Sequence, residues 1–333
     1  MLPRHPLRDP LLSRLDEHLR RDLAVPAGAR LHIAFSGGLD STALLAALAA
    51  LAPVRGYEVQ ALHVHHGLQD EADDWVAAAS RMGASLGVAL QVRYWEGAPA
   101  AGESEEASAR RGRYRLLEGE VSPGDWLMTA HQADDQAETV VLFLTRGAGL
   151  DGLAGIERCR PCGAGWLARP LLPFRRAELA AFVERCGLSP VNDPANRDRR
   201  FTRVRIREQA LPCLREAFGG HVSPAVARSA DLLQDAREVL EDKVARRLDE
   251  LGRPGPPPVL DASGLAGLGP AEGRFVLREA LRRAGQVLPE RDQLERARRL
   301  AARTEASGRV TWSGGGVQRR GRDLVLQPGE GAR

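Results

Sequence analysis

Lysine is all but missing from this chain. Of its 333 residues only Lys243 is a lysine, so its cationic side chains are almost all arginines. This argues against an amine nucleophile, or a lysine gripping phosphate, in the N-terminal half; the Lys-Ser/Thr ending of the common nucleotide loop is also absent. Four cysteines are too few for a disulfide framework in a chain of this length. The first stretch, MLPRHPLRDPLLSRLDEHLR, carries charges throughout and lacks the apolar core of a secretory signal. The longest apolar run, Ala43–Ala52, falls well short of the ~20 residues that cross a bilayer. These absences predict a cytoplasmic protein with no membrane segment. The formal charge of +3 is nearly balanced, so an anionic partner must be met by a local patch rather than by net charge.

What is present starts with FSGGLDST at 35–42. An apolar β-branched stretch, RLHIAF, precedes it, and the helix formers STALLAALAALA overlap its end and continue past it, so the motif sits on a strand-to-helix turn. Free N–H groups and the positive helix end face an anion there, and glycines let it come close. A tight turn capped by Asp40, Ser41 or Thr42 is the alternative reading. Strand patterns EVQALHV, VALQVRYW and DWLMTA then alternate with helical stretches at 70–86, 104–118 and 133–144, which predicts parallel β-α-β units. Ligands of such sheets gather at the carboxyl ends of the strands. After Gly147 a loop-like stretch containing CRPC at 159–162 leads to a short strand, WLARPLL, and a helix from Arg175 to Cys186. Helical patterns follow at 203–217 and 225–251, and GRPGPPP at 252–258 reads as a linker. Trp166 and Trp312 read as core residues.

Five further blocks occur in order: LHVHHGLQDEADDW at 62–75, ARRGRY at 109–114, TAHQADDQAETVVLFLTRGAGLDGLAGI at 129–156, RPLL at 169–172 and NDPANRDRRFTRVRIREQALPCL at 192–214. Together with Ser-Gly-Gly-x-Asp-Ser, the pyrophosphate loop of N-type ATP pyrophosphatases, they closely resemble the tRNA(Ile)-lysidine synthetase family. Gln132 stands where a second His is common and Val204 where Asn usually follows the Arg. The resemblance implies an α/β fold: a parallel-sheet, Rossmann-like ATP pyrophosphatase domain over 1–217, a helical connector over 218–252, and a small α+β C-terminal domain over 253–333. It implies a ligase that joins free L-lysine to C2 of the anticodon first-position cytidine of tRNA(Ile) with anticodon CAU. ATP and Mg²⁺ would serve, and an adenylated cytidine would form on the way. A homodimer is compatible with the family; no membrane partner is expected.

The same resemblance distributes the roles. Ser36, Gly37, Gly38, Leu39, Asp40 and Ser41, with His65, would bind ATP, and His66 would stand beside them. Asp40, Asp135 and Arg110 would be catalytic, with Asp40 able to accept Mg²⁺ or to cap its helix. Arg113, Asp134, Glu138, Arg203, Arg205 and Arg207 would meet lysine or tRNA. From the residues alone, Asp134 and Asp135 equally suit a helix dipole, and Arg110 could pair with Glu106 on the same helix. The arginine-rich run 197–207, with Phe201 among its cations, suits phosphate recognition. Two rival functions stay open. A cytidine C2 thiolase of the same superfamily would use CRPC, whose cysteines would otherwise lie in a loop with no chemical task. A catalytically inactive tRNA-binding module would need no intact loop, yet Asp40, Ser41 and Asp135 are all present.

Overall fold

The computed structural model describes residues 2–65, 67, 72–97, 105–191, 202–253, 258–303 and 307–328, with only the backbone of 105–107. His66, Glu106, Arg197, Arg199, Arg200 and Phe201 thus lie outside the described residues or side chains. The chain divides into two compact units, Met1–Gln234 and Asp235–Arg333.

The first unit runs α1 (Pro10–Arg21), β1 (Arg30–Ala34), α2 (Leu39–Arg55), β2 (Glu58–His65), α3 (Ala72–Ser85), β3 (Ala89–Tyr94), α4 (Glu105–Gly119), β4 (Trp126–Met128), α5 (Ala133–Leu144), α6 (Leu150–Leu153), β5 (Cys159–Cys162), β6 (Gly165–Ala168), α7 (Arg176–Arg185), α8 (Thr202–Arg205) and α9 (Leu211–Phe218). A long α10 (Val222–Leu251) carries the chain across the division between the units. Ile206–Ala210, between α8 and α9, forms a π-helical turn. The sheet order is β3-β2-β1-β4-β6-β5, parallel except for β5. The chain order reverses between β1 and β4, so the loops after these two strands open the crevice where an open α/β sheet takes its ligand.

Alternation along β1 explains the two layers. Leu31, Ile33 and Phe35 enter the core shared with α1, α2 and α7, whereas Leu62 and Val64 of β2 face Leu117 of α4 on the other side. Helix α2 is apolar all round because it is covered all round: Leu44, Leu45, Leu48 and Leu51 are wholly buried. Asp9 starts α1 by accepting hydrogen bonds from the N–H groups of Leu11 and Leu12, and Leu12, Leu15 and Leu19 turn one stripe of it into the same core.

Two expectations are corrected. The loop expected at CRPC is strand β5, hairpinned onto β6 through a turn at Gly163, whose φ of +56° favours glycine. Pro161 is tolerated because β5 is an edge strand. Trp166 is not core: it is 44% exposed and stacks on the buried Trp126 with ring centroids 6.1 Å apart.

The second unit comprises β7 (Gly252–Arg253), β8 (Val259–Asp261), α11 (Ala262–Gly267), α12 (Pro270–Arg283), α13 (Arg291–Ala301), β9 (Ser307–Trp312), β10 (Gly315–Arg320) and β11 (Asp323–Pro328). Its antiparallel sheet, ordered β7-β8-β11-β10-β9, packs Val317, Leu324 and Leu326 against Leu277, Leu281 and Leu294 of the helices. No helix among the described residues is long and apolar enough to cross a membrane.

Because Leu48 has no exposed surface and sits between the sheet and its helical cover, Leu48→Ala should destabilise the first unit by about 2–5 kcal/mol. Urea unfolding followed by far-UV circular dichroism measures this; a loss below about 1 kcal/mol would show that the site collapses freely around the smaller side chain.

Candidate active site

The glycine loop leaves β1 at Phe35, whose N–H is tied to the carbonyl of Leu62 at 2.8 Å. Gly37 takes φ +82°, a conformation that favours glycine, and its carbonyl accepts a 2.9 Å hydrogen bond from the N–H of Val191. Gly38 is the N-cap of α2, and no side chain caps the helix. The hydroxyls that could have done so are turned elsewhere: Ser41 donates to the carbonyl of Gly38 at 3.0 Å and Thr42 to that of Gly37 at 3.2 Å. The first N–H groups of a 17-residue helix therefore remain available to an anion.

These groups open into a cavity of about 550 Å³. Its walls are the loop itself, the last residues of β2 through His65, Arg113 and Tyr114 of α4, Thr129–His131 after β4, Asp135, Arg176 and Arg207. The loops after β1 and β4 and the end of β2 thus converge at the switch point, together with side chains from α4, α5, α7 and the π turn.

Three acids differ sharply in their surroundings. Asp40 lies in the first turn of α2, and its buried Oδ1 receives no hydrogen bond among the described residues. Burial pushes its carboxyl up to about 6, against the opposing pull of Arg176, whose guanidinium is 3.9 Å away. Asp135 Oδ2 accepts from the N–H of Gln132 at 3.0 Å and closes a capping box at the start of α5, while Oδ1 lies 3.4 Å from Arg207. Burial raises this carboxyl too. Asp135 is therefore both a helix cap and a cavity wall. Glu138, with no exposed surface, receives the Nε and Nη2 of Arg207 at 2.6 and 3.1 Å. It holds Arg207 in place from beneath rather than lining the cavity.

The remaining site residues separate by position. His65 lines the cavity beside Tyr94, with ring centroids 5.1 Å apart, and reaches Asp73 at 3.2 Å. Arg113 lines it as well, and burial lowers its basicity. Arg110 is exposed over the ring of Tyr114 and does not line the cavity. Asp134 points to Arg215 at 2.5 Å, outside the cavity. Arg203 donates to the hydroxyl of Thr139 at 3.0 Å, and Arg205 is exposed, bonded to Thr202 at 3.1 Å.

Among the cavity residues not picked out in the sequence are Arg176 and His131. Arg176 opens α7, and nothing in PFRRAEL marks it apart from any arginine at a helix start. His131, within TAHQADD, bonds through Nδ1 with the Thr129 hydroxyl at 3.0 Å. Burial, with Arg169, Arg110, Arg203 and Arg113 around it, pushes its value down to about 3, so the ring stays neutral.

Comparison with known proteins fits both units. Residues 11–214 match the family model of the PP-loop domain, and residues 260–325 that of the TilS substrate binding domain. A tRNA(Ile)-lysidine synthase from Methylococcus capsulatus is 39% identical over 303 residues, covering 90% of this chain and 69% of that protein. One from Alkalilimnicola ehrlichii is 40% identical, covering 91% and 68%. The chain belongs to the tRNA(Ile)-lysidine synthase family. It is accordingly an enzyme of the ligase class, with a PP-loop ATP-binding domain. Among solved structures, the U34-tRNA thiolase NcsA from Methanococcus maripaludis with its [4Fe-4S] cluster aligns with a TM-score of 0.57, over 67% of this chain and 77% of that one, at 17% identity. That likeness is one of fold. In this lysidine synthase family member, Cys159 packs into the α2 side of the sheet and Cys162 into the α4 side. Three residues apart on one strand, they point to opposite faces and do not converge on a shared metal. No group of three or more metal-ligating side chains occurs among the described residues.

The raised carboxyl of Asp40 has a consequence for stability. Its folded value, about 6, lies above its ordinary 3.8, so the native state holds that proton more tightly. Its contribution to stability is present at low pH and is lost as pH rises through about 6. Asp40→Asn lacks this titration. Its thermal midpoint relative to wild type should therefore be higher at about pH 7.5 than at about pH 5. Scanning fluorimetry of both proteins measures the difference; the same gap at both pH values would show that Asp40 is not held against its charge.

Proposed function

We propose that this enzyme adenylates the C2 oxygen of the first anticodon cytidine of a CAU-anticodon isoleucine tRNA and then joins free lysine at that carbon. The observation that supports this reading best is the uncapped start of α2, opening into the cavity that Asp40, Asp135 and Arg207 also face. An amide-like oxygen is a poor leaving group. Transfer of AMP onto it, with release of pyrophosphate, makes it displaceable, and the ε-amine of lysine then attacks C2 as AMP leaves.

The residues divide this work by position. N–H groups of the loop and of the first turn of α2 are aimed at phosphate oxygens, and such prearranged dipoles usually supply the largest catalytic contribution. Mg²⁺ suits the donor set: one or two carboxylates with phosphate oxygens are its ordinary ligands, and the bare Oδ1 of Asp40 is such a donor. Bound there, it would neutralise phosphate charge. Arg207, fixed by Glu138, presents a cation of set direction beside Asp135. Asp135 is the carboxylate at the wall best suited to a lysine ammonium. Neutral His131 adds no charge where the cytosine ring must sit beside arginines. Arg203 and exposed Arg205, on α8 within the basic run, serve the tRNA backbone.

Incubation with ATP, Mg²⁺, radiolabelled lysine and a CAU-anticodon tRNA tests the proposal. Label should enter the tRNA, and Asp135→Asn should raise the lysine KM by about tenfold or more while ATP affinity holds. Absence of label with wild type would overturn the reaction; an unchanged lysine KM would return Asp135 to the capping role alone.

Arg205→Ala should weaken tRNA binding and flatten the slope of log K against log salt by about 1. Filter binding across a salt series reads this, and an unaltered slope would remove Arg205 from the tRNA surface.

A further inference from the structure

Breaking ATP between its α and β phosphates leaves charge on a departing pyrophosphate, and the usual lysine is not available to meet it. The chain's one lysine, Lys243, pairs with Glu272 at 3.4 Å. The loop from Ser36 to Ser41 contains no cationic side chain. Among the described residues three arginines line the cavity: Arg113, Arg176 and Arg207.

Arg207 is already committed. Two of its nitrogens are held by Glu138 and one of these also approaches Asp135, so its direction is set by buried acids. Arg113 comes from α4, which packs on the face of the sheet opposite to α2, and lies over the ring of Tyr114. Arg176 differs from both. It is the first residue of α7, which packs in the same core as α2, so it approaches from the loop's own side. Its one ion pair among the described residues is a long contact of 3.9 Å with Asp40, and its side chain is 45% exposed. A weak tether and an open side leave it able to turn from Asp40 onto an anion within the same cavity. The loop itself is held in place on its other side, where Val191 donates its N–H to the carbonyl of Gly37.

We propose that Arg176 is the side chain that binds the departing pyrophosphate in the adenylation step. This rests on the reaction proposed above. In that step a bond forms between the cytosine C2 oxygen and the α-phosphorus. The bond from that phosphorus to the bridging oxygen breaks, and its electron pair leaves with the pyrophosphate. No proton moves, so the new negative charge is met by a cation and by the N–H groups of the loop. A guanidinium fork matches two phosphate oxygens at once.

Binding of inorganic pyrophosphate and of AMP to the full-length enzyme, by calorimetry in Mg²⁺ buffer, separates this role from a structural one. Arg176→Ala should weaken pyrophosphate binding by about tenfold or more and leave AMP binding within about twofold. Arg176→Lys, which keeps the charge but loses the fork, should recover part of the pyrophosphate affinity. Arg175→Ala removes the same charge one residue away, outside the cavity, and should change neither. Unchanged pyrophosphate binding in Arg176→Ala would overturn the assignment. An equal fall in AMP binding would also overturn it, as would the same loss in Arg175→Ala. Lysine incorporation is measured separately on the wild type. Its failure would sink the proposed reaction and leave the pyrophosphate result standing.

Discussion

The start of α2 is where this enzyme leaves backbone donors without side-chain partners, and the first unit is arranged around that fact. A helix normally satisfies its first N–H groups with a capping oxygen. Here the cap is Gly38, and the hydroxyls of Ser41 and Thr42 are spent on loop carbonyls. The cost of such exposed donors is offset by the burial of Leu44, Leu45, Leu48 and Leu51, which seat the helix firmly enough for its end to remain bare. The switch in strand order between β1 and β4 then supplies the crevice into which that end points.

Charge in the cavity follows the same logic of fixed and movable groups. Buried Glu138 makes Arg207 a fixed cation, and the π turn at Ile206–Ala210 is the local distortion that carries it. Such turns occur often at functional sites, since one extra residue per turn re-aims the side chains that follow. Asp40 and Arg176, by contrast, meet at a distance too long for a hydrogen bond. Asp40 retains a bare oxygen among the described residues, and its burial raises its carboxyl. With almost no lysine in the chain, arginine supplies the cations of the cavity, and each is distinguished by what holds it.

The C-x-x-C pair shows how spacing alone can mislead. On a turn or helix two cysteines three residues apart converge; on a strand they diverge. A glycine turn at Gly163 makes the segment a hairpin, and the two sulfurs enter different cores. What looked in the sequence like half a metal site is two separate packing contacts.

Much of the enzyme was legible in its sequence because the signals were local. Periodicity marked the alternating strands and helices, and the turn SGGLDS marked both the end of β1 and the start of α2. The ordered blocks indicated the family. Asp40 and Asp135 could be named from those blocks, but their separate environments could not. Burial of Asp40, the lock of Glu138 on Arg207 and the turning of Asp134 toward Arg215 depend on contacts between residues tens of positions apart. Arg176 and His131 carried no motif of their own; they became visible as cavity residues when α7 packed against α2 and the loop after β4 closed beside the loop after β1. The sequence by itself determined which backbone donors would be left bare at the start of α2, since glycine conformation and helix polarity are properties of neighbouring residues. Which side chains line the cavity beside that helix start was decided by tertiary packing, since direction and burial are properties of everything around them.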